Sequence, residues 1–355
     1  MSKIKHLKKN TLLFLLVILS LFSLIIFSGC IDIYERSPIE FLSFSPDGTQ
    51  LLSYDREDTI QKWNVSSGEE LFRLDGGRTS YARTSPRFIK WLISGDHYII
   101  GDAFMMRLFD SYSNSVIWNV SGTFSHASIA SNGYSLLTSY LYYQNHQRVH
   151  NITVLDLVEH KKIGVLNTTT KHGAYLCSTG TCFVHIPHIG DSLQILNLSD
   201  ESNLQNLSLQ SQSVINISIC HYLNWIENDT MIVLVADFFN QGKWLYYWNV
   251  TDGSLIGKIN YDSWMWPWFF SSDASLFVTP YGMSDPNYIS AVDAFSGEVL
   301  HRLFVSEKGV SSTTCSPDGR FIAAGSNDGI IKIWNSSTGE LIQTLMTPKN
   351  YRVPL

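Results

Sequence analysis

The stretch FLSFSPDGTQLLSYDREDTIQKWNVSSGEELFRL, Phe41 to Leu74, is nearly repeated as STTCSPDGRFIAAGSNDGIIKIWNSSTGELIQTL, Ser312 to Leu345. Both copies contain S-P-D-G, an apolar run, an acidic turn, a strand ending in Trp-Asn, a Gly turn and a last apolar run. Units of this kind bury their faces only by stacking, so degenerate copies are expected between them.

The end of the third strand anchors the search, because an apolar residue precedes Asn or Asp there and a turn follows. The anchors are Trp63-Asn64, Phe109-Asp110, Leu155-Asp156, Leu196-Asn197, Trp248-Asn249, Val292-Asp293 and Trp334-Asn335. Turn-rich clusters precede each second strand at Pro46-Asp47-Gly48, Gly95-Asp96, Asn132-Gly133, Thr179-Gly180, Asn228-Asp229, Ser272-Asp273 and Pro317-Asp318-Gly319. Such residues accept tight-turn backbone angles or bond locally there. Seven anchors at intervals of 46, 46, 41, 52, 44 and 42 residues predict an all-β chain, a seven-bladed β-propeller of four-stranded antiparallel blades.

These residues resemble the WD-repeat β-propeller family over roughly residues 38–346, most closely in the first and last blades. Two departures stand out. Asn replaces Asp after Trp63, Trp248 and Trp334, and the Gly-His pair expected before each first strand is absent from the two best copies. The buried His–Ser/Thr–Trp–Asp network that the resemblance implies therefore lacks its His. The stretch Ala291 to Leu303 is similar to quinoprotein-like propeller repeats, a related possibility.

Residues 1–29 read as a signal peptide or signal anchor, outside the fold. Four lysines precede an apolar run from Thr11 to Ser28, which ends in Phe27-Ser28-Gly29-Cys30. That ending resembles a prokaryotic lipobox, which implies cleavage and lipidation at Cys30; the run is also long enough to span a bilayer uncut. Either way the body is expected at the outer face of the cell membrane, because the lysines stay inside. Residues 30–37 form a short tether, 38–346 the propeller and 347–355 a C-terminal tail that lies along the last blade. Loss of the leader lysines leaves 21 basic residues against 31 acidic ones. No basic stripe is present, so nucleic acid is excluded as a partner class.

Cys177 and Cys182 face each other across an expected hairpin, as a disulfide or as two buried thiols. Ten N-x-[S/T] sequons occur at Asn64, Asn119, Asn151, Asn167, Asn197, Asn206, Asn216, Asn228, Asn249 and Asn335. They read as N-glycosylation of an exported, archaeal surface protein or, where they coincide with anchors, as products of the turn.

The candidate ligand-binding residues are aromatic. Trp264, Trp266 and Trp268 enter the sixth blade, and Tyr281, Asp285 and Tyr288 belong to a loop on the same, loop-rich face. Aromatic faces with a nearby acid and amides suit a sugar ring or an apolar peptide; packing between blades is the competing use of Trp266 and Trp268. His185-x-x-His188 with Asp191 holds a metal only if the chain turns at Ile186-Pro187, since strand residues three apart point to opposite faces. No metal or cofactor is therefore assigned. No phosphate loop, nucleophile elbow or H-E-x-x-H motif occurs. The leading reading is a surface-tethered, non-catalytic module that binds a protein, peptide or glycan. The alternative is an extracytoplasmic enzyme, a hydrolase or quinoprotein-like dehydrogenase, with its site at the channel mouth.

Overall fold

The computed structural model describes residues 33–75, 88–92, 94–101, 105–121, 126–129, 135–144, 147–168, 170–177, 181–187, 192–197, 203–208, 217–226, 231–238, 242–261, 269–271, 275–280 and 285–352. Strands and turns account for the regular structure among them, with no helix. One compact unit is Ser37–Thr347; the other comprises the flanking chain ends. Within the second unit, Ile33–Glu35 pairs antiparallel with Asn350–Arg352, so the tail bonds to the segment read as a tether.

Among the described residues the larger unit holds seven four-stranded antiparallel sheets, each built from strands in chain order. They span residues 39–74, 88–121, 126–168, 170–208, 217–261, 269–304 and 310–346. Each of the seven anchors ends the third strand of its sheet. Each sheet also has its own fourth strand.

The turns explain the motif. Ser45 Oγ donates to Asp47 Oδ1 at 2.6 Å and accepts the Gln50 amide at 2.9 Å. Gly48 closes the turn at φ +70°, a conformation that favours glycine. Ser316, Asp318 and Phe321 repeat these bonds at 2.7 and 2.9 Å. At the anchors, Asn64 Oδ1 accepts the Ser66 and Ser67 amides at 3.0 and 2.9 Å. Asp110, Asp156, Asp293 and Asn335 accept from the amides two and three residues on in the same way. One side-chain oxygen is all this turn uses, and Asn supplies it as well as Asp. That accounts for the Asn departures.

A second regularity is absent from the motif as read in the sequence. In all seven sheets the third–fourth strand register shifts at the anchor, leaving one extra residue on the fourth strand. The residue passed over is Leu71, Ile117, Ile163, Leu204, Ile256, Leu300 or Ile342, always seven positions after the anchor. Such bulges bend a strand and increase its twist. Leu71, Ile117, Ile256, Leu300 and Ile342 are exposed.

The apolar clusters lie between sheets. Leu52, Tyr54, Ile60, Ile89, Trp91, Tyr98, Ile100 and Phe109 join the first sheet to the second. Leu276, Val278, Ile289, Ile322, Ala324 and Trp334 contribute to the cluster between the sixth and seventh. The first sheet also packs on the seventh, where Ile39, Phe44, Leu51 and Trp63 meet Ala323, Ile331 and Ile333. Polar contacts cross the same junction: Gln343 Nε2 donates to Ser66 O at 2.7 Å, Arg320 Nη2 to Asp47 O at 3.2 Å and Ser311 Oγ to Ile39 O at 2.7 Å.

Candidate functional site

Two places on the described surface assemble polar and aromatic groups from neighbouring sheets. The first lies on the loop-rich side of the sixth sheet. Asp285 accepts from Arg302, and the Arg302 guanidinium carbon sits 4.4 Å from the centroid of the Tyr288 ring. Tyr288 meets Phe304 edge-on at 5.3 Å. Lys332, from the seventh sheet, lies 4.6 Å over the Phe304 ring and donates to the Phe304 carbonyl at 3.2 Å. Burial holds the Lys332 ammonium below the usual lysine pKa range. Asp285 and Tyr288, picked out in the sequence as ligand contacts, are thus brought together, with Arg302 over one face of the ring and paired with the acid. Trp264, Trp266, Trp268 and Tyr281 lie outside the described residues.

The second place was not singled out in the sequence. On the tight-turn side, a cleft of about 450 Å³ opens between the first and second sheets. The Ser45–Gln50 turn forms one wall, and Trp91, Ser94 and the Ser111-Tyr112 turn form the other. Trp91 is held from both directions. Its amide donates to Ser43 Oγ of the first sheet at 3.3 Å, and its ring packs 5.6 Å from Tyr98, which stacks on Phe109 at 4.9 Å. Lys62 ties the sheets beneath by donating to Ser111 O at 2.6 Å and Asn114 Oδ1 at 2.9 Å. Burial lowers its pKa, against the opposing pull of Asp110.

The charge in this cleft is Asp47. Burial alone would raise its pKa, but hydrogen bonds from Ser45 and Thr49 outweigh that and hold the carboxyl below its usual range. Tyr112 projects outward with 81% of its surface exposed. Trp91 Nε1–H and Gln50 Oε1 are shielded from solvent.

The other sequence candidates are distributed. Cys177 and Cys182 stand opposite each other at the hairpin of the fourth sheet, where the Cys177 amide donates to Cys182 O at 2.9 Å and the Cys182 amide lies 3.1 Å from Cys177 Sγ. His185 is in the strand Cys182–Pro187, which ends at Pro187; His188 and Asp191 lie outside the described residues. Among the described residues no group of three or more His, Cys, Asp or Glu could hold a metal ion. Asn64, Asn197, Asn249 and Asn335 end third strands, Asn119 and Asn206 sit in fourth strands, and Asn151 and Asn167 lie in paired strands of the third sheet. Asn216, Asn228 and the residues around Cys30 are outside the described set.

The missing His also has a structural answer in the seventh sheet. Ser306, in the segment that enters its first strand, donates to Asp328 at 2.9 Å. Ser326 donates to the same carboxylate at 2.5 Å and accepts the Ile330 amide at 3.0 Å. A hydroxyl thus links the entering segment to the turn Asp. In the first sheet Trp63 Nε1 donates to Ser53 Oγ at 2.9 Å.

Comparison with known families agrees with this region of the chain. Residues 297–335 match the family described as WD domain, G-beta repeat. The matched segment begins at the turn before the fourth strand of the sixth sheet and ends at the Asn335 anchor of the seventh. A WD40 repeat is therefore present at residues 297–335, straddling two sheets.

Proposed function

We propose that residues 38–346 close into a seven-bladed WD-repeat-type propeller serving as a non-catalytic binding module for a protein, peptide or glycan. The observation that carries this reading is the direct packing of the first sheet on the seventh, through Ile39, Phe44 and Trp63 against Ala323, Ile331 and Ile333. The WD40 repeat at 297–335 supports it, since such repeats typically mediate protein interaction. Rigid sheets displaying turns and loops supply surface for recognition. In this proposal the N-terminal segment holds the module at the outer face of the membrane, by lipid on Cys30 or as an uncut anchor. Trp264, Trp266 and Trp268 are offered as contacts beside Asp285 and Tyr288.

The test is cross-linking on intact cells followed by fractionation, using the wild-type chain and Cys30→Ser. Wild type is expected in the membrane fraction cross-linked to a defined partner. Cys30→Ser is expected to leave that fraction if lipid is the anchor, and to remain if the segment spans uncut. Turnover of a small substrate, abolished by acid-to-amide changes, would overturn the non-catalytic reading.

A further inference from the structure

The seven anchors fall into two classes by the residue two positions on. Asn64, Asn197, Asn249 and Asn335 are followed there by Ser66, Ser199, Thr251 and Ser337, with no Pro between, so each is an N-x-[S/T] acceptor. Asp110, Asp156 and Asp293 are followed by Tyr112, Val158 and Phe295, all exposed. The turn does not require this split. The three Asp anchors accept the amides two and three residues on, as Asn64 and Asn335 do. Nor does the turn need its hydroxyl at the second position, since Ser113 and Ser296 reach Asp110 and Asp293 from the third, both at 2.7 Å. A carboxylate accepts a hydroxyl at least as well as a carboxamide does. What the Asn anchors have and the Asp anchors lack is a side-chain amide nitrogen paired with a Ser or Thr two residues on.

We propose that the Asn anchors are N-glycosylation sites, an inference that rests on the reading of the chain as a protein of the outer cell surface. At Asn64 the turn bonds only to Oδ1, through the Ser66 and Ser67 amides and through Ser66 Oγ at 2.8 Å. Asn335 repeats the set, with Ser337 Oγ donating to Oδ1 at 2.7 Å. At Asn249 the Thr251 amide donates to Oδ1 at 2.8 Å. Nδ2, the atom a sugar joins, takes no part in these bonds, so the turn and the modification use different atoms of one side chain. Ser66, Thr251 and Ser337 are exposed, and the three Asn residues are half-buried at the ends of their strands. Asn197 shares the sequence pair, and its turn lies outside the described residues. The step joins Nδ2 to the anomeric carbon of a sugar carried on a lipid phosphate. The bond from that carbon to the phosphate oxygen breaks, the phosphate leaves with the electron pair, and Nδ2 gives up one proton to a base of the transferase.

The experiment purifies the full chain from its own cells, digests it and reads the anchor peptides by mass spectrometry, fragmenting any attached sugar. Glycans are expected on Asn64, Asn249 and Asn335. Three variants made in the same cells then test the first site. Asn64→Asp keeps the accepting oxygen and removes Nδ2, so the turn is retained and an unchanged melting temperature reports it. Ser66→Ala removes the hydroxyl and leaves Asn64 in place. Both are expected to lose the glycan of that site completely, whereas Ser66→Thr is expected to keep it. A hydroxyl that served only the turn would not produce that pattern. Bare peptides at all three anchors overturn the proposal, as do glycans confined to strand sequons such as Asn119 or a glycan on Asn64 that persists in Ser66→Ala. Protease added to intact cells separates this inference from the reading beneath it. If the chain is shaved from the cells and its anchors are bare, the glycan sites fall and the outer-surface reading stands. If the chain is protected, the outer-surface reading falls with them.

Discussion

The first and seventh sheets share a spelling, yet they treat one matching position in opposite ways. Tyr54 and Gly325 occupy the same place in the two repeats. Tyr54 is buried, its ring 6.5 Å from Phe41 and its hydroxyl bonded to Asp58. At Gly325 a Cβ would lie 2.6 Å from Ile39 Cβ and from Ser312 Oγ, so only glycine lets Ile39 approach. The neighbouring positions differ as well. Asp55 caps its turn as a buried carboxylate that accepts the Glu57 and Thr59 amides at 2.9 and 3.0 Å, whereas Ser326 caps the matching turn with a hydroxyl. The repeat motif sets the turns inside a sheet, and the neighbour a sheet must meet sets the residues around it.

The most severe way to break this comparison is to erase the difference. Tyr54→Ala empties a site in the first–second junction and is expected to cost about 3–4 kcal/mol. Gly325→Val overfills the first–seventh junction and is expected to cost about 2–3 kcal/mol. Urea denaturation reads both. A Gly325→Val, Ile39→Ala double variant should lose less than the sum, because the smaller residue relieves the clash. Strict additivity would mean that the two side chains do not meet.

The caps offer a finer contrast, with a pH signature. Burial raises the Asp55 pKa against the opposing bonds from Thr59 and Glu57. The folded carboxyl then keeps its proton at a pH where the unfolded one has lost it. Asp55 therefore favours folding below the unfolded value of about 3.9, and that contribution falls away as pH rises toward the raised folded value. Asp55→Asn keeps the accepting oxygen and removes the buried charge. Its stability relative to wild type should improve across that window and then level off, read by melting temperatures from pH 3.5 to 7. Asp47 and Asp318 act with the opposite sign: their lowered values give stability above the usual carboxylate pKa that is lost as pH falls. The smallest effects belong to the rim of the first–seventh junction. Gln343→Ala removes one bond to Ser66 O and should cost about 0.5–1 kcal/mol. Breaking the exposed Arg320–Asp318 pair alone should cost about 0–1 kcal/mol.

What could be read from the letters follows from the range of the interactions. All seven anchors end third strands, and at six of them an Asn or Asp oxygen bonds its own turn, a local device written within four residues. The tail is a different case: its bond to Ile33–Glu35 joins the two ends of the chain, and no nearby residue announces it. The cleft between the first and second sheets is illegible for a related reason. Ser45–Gln50 and Ser94-Gly95 read as punctuation because each turn satisfies its own backbone. That two such turns from neighbouring sheets line one cleft with Trp91 is a property of packing. In the sequence Trp91 is one more apolar residue of a first strand, and a cleft between sheets leaves no trace in composition or period.

The seven bulges bear on how this molecule coexists with copies of itself. Each sheet ends in a fourth strand whose outer backbone has no pairing partner within the sheet, a ready template for strand addition. The extra residue at Leu71, Ile117, Ile163, Leu204, Ile256, Leu300 or Ile342 interrupts that template near its start and twists the edge away from a flat approach. A chain that exposes aliphatic side chains on several of these strands has to guard against edge-to-edge aggregation, and here a backbone irregularity repeated once per sheet guards every edge, including the fourth strands 116–121, 203–208 and 341–346 that carry no charged residue.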